Sequence, residues 1–178
     1  MTGEVQKRGQ LIAEKPENAL GSPIYSSICG KVTAEGETQI TIEEAGTDFG
    51  KYEPLKGTTP RELIAESGLV GLGGAGFPTS VKLNVQFKDE GYVIVNAAEC
   101  EPILSHNIAR IEKEPEKLLK GLEIVMELTG AKKGIVAIKE SHKEAIEKIK
   151  KVNSNAAISV FPLENIYPMG EERAVLRE

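Results

Sequence analysis

The chain has 178 residues, of which 40% are hydrophobic and 4% aromatic, and its 22 basic and 27 acidic residues give a net charge of −5. Such a composition fits an ordinary globular protein with one sizeable core or two small ones. The acidic balance argues against nucleic acid as a partner, and the lack of an apolar run of about 18 residues argues against direct membrane insertion. We therefore expect a cytoplasmic protein.

Residues 1–57 are predicted to form a small antiparallel β unit. Short apolar runs such as QLIAE, SPIYSSI and TQITIEE are separated there by turn residues. Their order resembles the barrel-sandwich domain of biotinyl and lipoyl carriers. Because those carriers present one lysine on a tight hairpin, Lys31 in CGKVTA is a candidate modification site. A solvated turn lysine is the simpler interpretation.

Residues 58–178 are predicted to begin with a short helix. Thr59 and Glu62 flank Pro60 and Arg61 in the pattern of a capping box, in which the threonine caps the helix and the glutamate reaches back to the free amide. We expect this helix to end at Gly68.

Three strands and two helices are predicted to alternate after the glycine-rich stretch that follows. YVIVN is a compact apolar run typical of a buried strand, and GIVAIK and AISVFPL are the next two strands. One helix is predicted to begin at Pro115 and to end at Gly130, and a second to be capped by Ser141. This alternation predicts an α/β domain with a parallel sheet and crossover helices. The last residues begin a further helix, and we expect the chain to be an N-terminal fragment.

The two cysteines, Cys29 and Cys100, are far apart and form no CxxC pair. Neither a zinc site nor an iron–sulfur cluster can be assembled from them, so no metal site is predicted. A small buried thiol is the ordinary role of such a residue.

The stretch LVGLGGAGFPTSVK, residues 69–82, carries four glycines within six residues. Gly71 to Gly76 satisfies the dinucleotide fingerprint G-x-G-x-x-G, and Glu99 lies far enough on to accept a ribose hydroxyl. The fingerprint requires a preceding strand, however, whereas a helix end precedes it here, and the Walker A pattern is not satisfied. A phosphate loop assisted by Lys82 and a tight packing turn both remain open.

Three segments, GLGGAGFPTSVK, VNAAECEP and YPMGEERAVL, occur in this order in the chain. Together they resemble the NADH-oxidising flavoprotein subunit of respiratory complex I and, more closely, the C subunit of the Rnf-type ion-translocating electron transport complex. The resemblance covers nearly the whole chain, and GGAGFPT is its most specific part.

The resemblance implies that the glycine loop wraps FMN, that Lys82 serves its phosphate, and that residues 96–99 border the polar edge of the flavin. It also implies that the Y-x-x-G-E-E segment lies beside the flavin ring and the NADH pocket. The implied cofactor-binding residues are Gly71, Gly73, Gly74, Ala75, Gly76, Phe77, Lys82, Asn96, Glu99, Tyr167, Gly170, Glu171 and Glu172. No catalytic side chain is implied, because hydride transfer between nicotinamide and flavin needs no acid or base.

Four positions depart from the complex I pattern: Leu72, Ser80, Ala98 and Ile103. At most of these positions the chain resembles the Rnf branch. Because alanine stands at position 98, the role of the complex I aspartate does not carry over to it. Cys100 is interpreted as a packed residue or a redox thiol, and Glu172 as a ribose ligand or an acidic helix start.

We therefore predict two domains: a barrel-sandwich-like unit over residues 1–57 and an FMN- and NADH-binding α/β domain over residues 58–178. In the intact protein, the resemblance implies an NADH dehydrogenase-type oxidoreductase that passes electrons to 4Fe-4S clusters encoded downstream. Its implied partners are other subunits of a membrane-bound complex, through which it would be peripheral to the membrane. A non-catalytic adaptor and a carrier modified at Lys31 are the alternatives.

Overall fold

A computed structural model describes residues 2–45, 52–101 and 103–178. It divides the chain into two compact units, Met1–Asn84 and Val85–Glu178. Part of the predicted β segment, residues 46–51, lies outside the described residues, as does Pro102 at the end of the VNAAECEP segment. The predicted domain boundary after residue 57 stays a prediction.

The first unit contains antiparallel strands in two small sheets. One sheet has the order β1-β4-β5 and the other pairs β2 with β3. The strands are β1 (Val5–Gln6), β2 (Leu11–Ala13), β3 (Ile24–Tyr25), β4 (Gly30–Glu35) and β5 (Ile40–Glu44). The antiparallel β character is therefore confirmed, and the finer barrel-sandwich assignment remains a prediction.

Lys31 does not lie on a hairpin turn, so that expectation was wrong. It is the second residue of β4, where it is paired with Val5 of β1 and Glu43 of β5. The turn between β4 and β5 instead falls at residues 36–39, which contain no lysine. The two-sided pairing that places Lys31 inside a sheet comes from residues distant in sequence, which local turn signals did not reveal.

Two short helices complete the first unit: α1 (Pro60–Glu66) and α2 (Thr79–Lys82). The predicted capping box at the start of α1 is present, with Glu62 accepting hydrogen bonds from the Thr58 and Thr59 amides. Hydrogen bonds to its carboxylate lower the pKa of Glu62 from 4.5 to about 2. The largest effect comes from the Thr58 amide, and the Thr58 hydroxyl and the Thr59 amide come next. Helix α1 ends just before Gly68, as predicted, and Gly68 has a left-handed φ angle.

The second unit is an α/β domain with a parallel sheet in the order β6-β7-β8. Its elements are β6 (Tyr92–Asn96), α3 (His106–Lys113), α4 (Pro115–Thr129), β7 (Lys133–Lys139), α5 (Lys143–Val152), β8 (Ile158–Leu163) and α6 (Glu172–Val175). The predicted α/β class and the three predicted strands are confirmed.

Three details of this unit differ from the sequence predictions. Helix α3 was not predicted, although Ile108 and Ile111 have the spacing of a buried helical stripe. Ser141 does not cap α5, since His142 occupies the N-cap position without a side-chain bond. Strand β6 is half-buried, because it forms an edge of the sheet and its alternate residues are exposed.

The core of the second unit lies between one face of the sheet and helices α3, α4 and α5. Leu122, Val136, Ile138 and Ile149 are almost completely buried within it. A smaller cluster at the carboxyl end of the strands contains Ala98, Ala137, Leu163, Met169 and Val175. This second cluster fixes the segment after β8 against the end of the sheet.

In the part of the chain that the structure describes, no helix has both the length and the apolar character needed to cross a membrane.

Candidate functional site

The glycine stretch forms an exposed loop closed at its base by backbone pairing. The Gly71 amide donates to the Phe77 carbonyl at 2.9 Å, and the Thr79 amide donates to the Leu69 carbonyl at 2.9 Å. Val70 and Pro78 form an isolated bridge between these two bonds. Residues 71–77 are all exposed, with the side chain of Leu72 at 93%. The loop is thus a defined structure with an accessible tip.

The glycines of this loop differ in their backbone conformation. Gly74 and Gly76 have φ angles of 123° and 60°, a region that side chains with a Cβ disfavour. Gly73 has no such angle, and a Cβ added to it would meet nothing within 4 Å. Packing within the described protein therefore does not explain the glycine at position 73. A ligand that approaches the backbone at this point would explain it.

Lys82 is exposed at the end of α2, the single-turn helix that follows the loop. Its ammonium group is a mobile positive charge on a flexible stem, which is a chemistry suited to a phosphate. Phe77 is 42% exposed at the base of the loop and offers an aromatic surface. The open backbone, the cation and the aromatic ring fit a phosphorylated aromatic ligand.

In the second unit, Asn96 links the end of β6 to the segment after β8. Its Nδ2 donates to the Gly170 carbonyl at 2.8 Å, and its Oδ1 accepts from the Ala98 amide at 3.1 Å. The first of these bonds joins residues that are 74 positions apart in the sequence. Two of the three resembling segments, VNAAECEP and YPMGEERAVL, therefore meet at the carboxyl ends of the parallel strands.

Gly170 is needed for close packing at the carboxyl ends of the parallel strands. A Cβ at this position would overlap the Ala98 carbonyl oxygen and the Cys100 sulfur. The Gly170 amide also donates a hydrogen bond to Cys100 Sγ. Cys100 therefore packs against Gly170 in this structure, and a redox role for its thiol stays a prediction.

Glu99 presents a buried carboxylate beside this edge. Its side chain is 6% exposed, and Oε1 accepts a hydrogen bond from Asn107 Nδ2 at 2.9 Å. His106 Nδ1, on a largely exposed ring, lies 3.5 Å from the same oxygen. Among the described residues, Oε2 has no hydrogen-bond partner although it is buried. A buried acceptor of this kind is costly unless a ligand or water satisfies it.

The Y-x-x-G-E-E segment divides its residues between structural and exposed positions. Glu171 accepts a hydrogen bond from the Ala174 amide at 3.0 Å and so caps α6. Glu172 is exposed in the first turn of that helix, and Tyr167 is 78% exposed. Tyr167 and Glu172 are thus accessible to a ligand, whereas one carboxylate oxygen of Glu171 is already engaged.

Asn107 is the residue that the sequence analysis missed. It lies in α3, which was itself not predicted, and it contacts Glu99 from eight positions further along the chain. The spacing of Ile108 and Ile111 was the available signal for the helix, but no motif marked the asparagine.

A parallel sheet with polar loops at the carboxyl ends of its strands is the arrangement in which α/β domains bind nucleotides and flavins. Comparison with known proteins identifies the class more closely. Residues 64–178 match the family described as the Nuo51 FMN-binding domain. The chain belongs to this family of FMN-binding domains.

The chain is also similar to longer proteins of electron transport complexes. It is 30% identical to the C subunit of the Na(+)-translocating ferredoxin:NAD(+) oxidoreductase complex of Acetobacterium woodii, covering 98% of this chain and 43% of that protein. Identity to the proton-translocating counterpart of Clostridium ljungdahlii is 32%, covering 98% of this chain and 42% of the relative. The cobalamin reductase PduS of Citrobacter freundii is 40% identical over 64% of this chain and 24% of the relative. The chain spans less than half the length of each relative.

The resemblance to the C subunit of Rnf complexes, drawn from the three sequence segments, is thereby confirmed.

Proposed function

We propose that this chain is the flavin-binding part of an electron-transfer protein that binds FMN and exchanges electrons with NADH. Its membership of the FMN-binding domain family supports the cofactor. The names of the two ion-translocating relatives include NAD(+), which supports the nucleotide.

The observation that carries the proposal is the open backbone at Gly73. This glycine has no conformational need that the structure reveals, and nothing within 4 Å would oppose a Cβ. In a protein that binds no ligand here, an alanine would serve equally well or better, because glycine loses more chain entropy on folding. A flavin held against the backbone makes the absence of a Cβ necessary.

In this proposal the residues of the first unit hold the cofactor. The backbone of Gly71, Gly73, Gly74, Ala75 and Gly76 approaches the flavin, Phe77 supplies an aromatic contact, and Lys82 binds the phosphate. When bound, FMN would supply the chemistry of hydride acceptance from NADH and of one-electron transfer to later acceptors.

The residues of the second unit are proposed as contacts for the polar edge of the flavin and for the nucleotide. Asn96 joins the end of β6 to the segment after β8 through its hydrogen bond to the Gly170 carbonyl. Glu99 supplies a buried hydrogen-bond acceptor. Tyr167 and Glu172 are exposed and are proposed to contact the nucleotide, and Glu171 fixes the helix that carries Glu172. None of these side chains is asked to transfer a proton.

The wider activity is proposed from the resemblance of the three sequence segments to the Rnf and complex I subunits. Electrons would pass to iron–sulfur clusters that this chain's two cysteines cannot assemble, and the partners would be other subunits of a membrane-bound complex. The chain would then be peripheral to the membrane through those subunits.

The test is a titration of the purified protein with FMN, followed by the quenching of flavin fluorescence. Gly73→Asp places a side chain and a negative charge at the open backbone, and we expect FMN affinity to fall at least about tenfold, or ~1.4 kcal/mol. Lys82→Ala removes one phosphate contact and should weaken FMN by about three- to tenfold.

Gly36→Asp is the matched control, because Gly36 lies in the β4–β5 turn of the same unit with only ordinary contacts around an added Cβ. It introduces the same charge and should leave FMN affinity unchanged. Equal weakening by Gly73→Asp and Gly36→Asp would remove the glycine loop from the site. A folded wild-type protein that binds no FMN would contradict the proposal and favour the non-catalytic adaptor.

A further inference from the structure

The carboxylate of Glu99 is held asymmetrically. Oε1 receives the Asn107 amide at 2.9 Å and lies 3.5 Å from His106 Nδ1, whereas Oε2 is buried and has no partner among residues 2–45, 52–101 and 103–178. The two oxygens of a free carboxylate are equivalent, so the protein itself creates this difference. It leaves one acceptor unused in a place that water does not reach freely.

Asn107 is the residue best placed to maintain that difference. Its side-chain amide donates to a single oxygen of Glu99, from the second position of α3. The exposed His106 ring is less constrained, and its 3.5 Å separation is long for a strong hydrogen bond. Fixing one oxygen also fixes the plane of the carboxylate, and therefore the position of the other oxygen.

A carboxylate oxygen without a partner is a hydrogen-bond acceptor, so the group that satisfies Oε2 is a donor. Both ligands of the proposed function carry N–H donors on planar ring systems. The flavin ring has an imide N–H at N3, and the nicotinamide ring has a carboxamide. An N–H donor of this kind would remove the desolvation cost of the buried oxygen, because it makes the missing hydrogen bond.

We propose that Asn107 is a positioning residue which holds Glu99 so that its buried Oε2 accepts a hydrogen bond from a ligand N–H. The inference rests on the proposed function and adds a residue and a specificity to it. Asn107 does not touch the ligand in this scheme. It acts through Glu99, and the ligand chemistry selected is a planar amide or imide N–H.

The experiment compares each ligand with an analogue that lacks the N–H donor. The purified protein is titrated with FMN and with its N3-methyl analogue, and the FMN-loaded protein is then titrated with NADH and with its deamido analogue, in which a carboxylate replaces the carboxamide. If the flavin supplies the donor, we expect the wild type to bind FMN at least about tenfold more tightly than the N3-methyl analogue. If the nicotinamide supplies it, the preference of about tenfold appears in the second pair instead.

Asn107→Asp replaces the amide donor by a carboxylate facing Glu99. The preference for the ligand that carries the N–H over its analogue should then fall to less than about twofold. Asn155→Asp is the matched control. Asn155 Nδ2 donates to Glu123 Oε1 at 3.1 Å in the same unit, and the aspartate keeps the oxygen that accepts the Ala157 amide at 3.0 Å. The control should retain the wild-type preference for both ligand pairs.

Two further variants separate positioning from general damage. Asn107→Ser removes the amide without adding charge, and it replaces Asn107→Asp if that variant does not fold. Glu99→Gln removes the charged acceptor itself, so adding Asn107→Ser to it should cause no further loss of preference if Asn107 acts only through Glu99. A loss of overall affinity with both preferences intact would indicate a merely structural role.

The outcomes distinguish this inference from the proposed function. If FMN binds and Asn107→Asp or Asn107→Ser leaves both preferences unchanged, the positioning role is overturned while the proposed function stands. If the folded wild type binds no FMN, both are overturned. Selective loss of one preference supports the role and identifies which ligand supplies the N–H.

Discussion

The two units of this chain are stabilised in different ways. Within residues 2–45 and 52–84, Val32 is the one aliphatic side chain that is fully buried, and the other buried residues are Gln6, Ser26, Gly30 and Pro78. The second unit instead has a continuous apolar core between its sheet and three helices. Burial of apolar side chains supplies most of the folding free energy of such a domain. The first unit depends more on strand pairing, helix caps and turn geometry.

Glycines show the same contrast. Gly73 in the first unit has open space around it, whereas Gly170 in the second has no room for a Cβ. Identical residues in two sequence motifs therefore have opposite explanations, one pointing to an external group and the other to internal packing. The space around each glycine separates these cases, and the sequence alone does not.

The largest effect is expected from Leu122→Ala. Leu122 is 2% exposed in the core of the second unit, and truncation there should lower the free energy of unfolding by about 3 kcal/mol. Val32→Ala, at the buried aliphatic position of the first unit, should cost about 1.5 kcal/mol because two methyl groups are lost. Residue-resolved hydrogen exchange measures each loss within its own unit. An equal or larger loss for Val32→Ala would contradict the distinction between the units.

A smaller effect is expected from Gly170→Ala. The added Cβ would overlap the Ala98 carbonyl oxygen, which is part of the backbone and cannot rotate away, so about 2 kcal/mol of stability should be lost. Gly73→Ala should change stability by less than about 0.5 kcal/mol, because its Cβ meets nothing. Urea unfolding followed by circular dichroism gives both values. Comparable losses in the two variants would mean that the glycine loop is also required for packing.

The features that the sequence predicted well are those specified by nearby residues. The capping box of α1 spans Thr59 to Glu62, and α4 begins at Pro115 and ends before Gly130 in the left-handed conformation. Each of these signals lies within one or two turns of the helix that it defines. Local chemistry was therefore sufficient to place them.

The features that were missed depend on residues far apart in the sequence. Lys31 was expected on a hairpin but is paired on both sides within β4, and the bond between Asn96 and Gly170 joins two distant segments. Family resemblance placed Asn96, Glu99 and Gly170 among the candidate site residues. It did not predict the hydrogen bond between Asn96 and Gly170. Asn107 was missed because only the folded chain brings it to Glu99.

The smallest effect is a pH dependence confined to the start of α1. Hydrogen bonds from Thr58 and Thr59 lower the pKa of Glu62 from 4.5 to about 2, so the folded unit binds a proton at this group more weakly than the unfolded chain does. The stabilisation is then fully present above about pH 4.5 and is lost as the pH falls towards 2. Glu62→Gln keeps a capping side chain but removes the titration, and should flatten the pH dependence of amide protection in α1 across this window. Glu116→Gln makes the same charge change in the first turn of α4 and corrects for general charge effects. If Glu62→Gln retains the wild-type slope, the first unit does not depend on this cap, and its stability must come from packing as in the second.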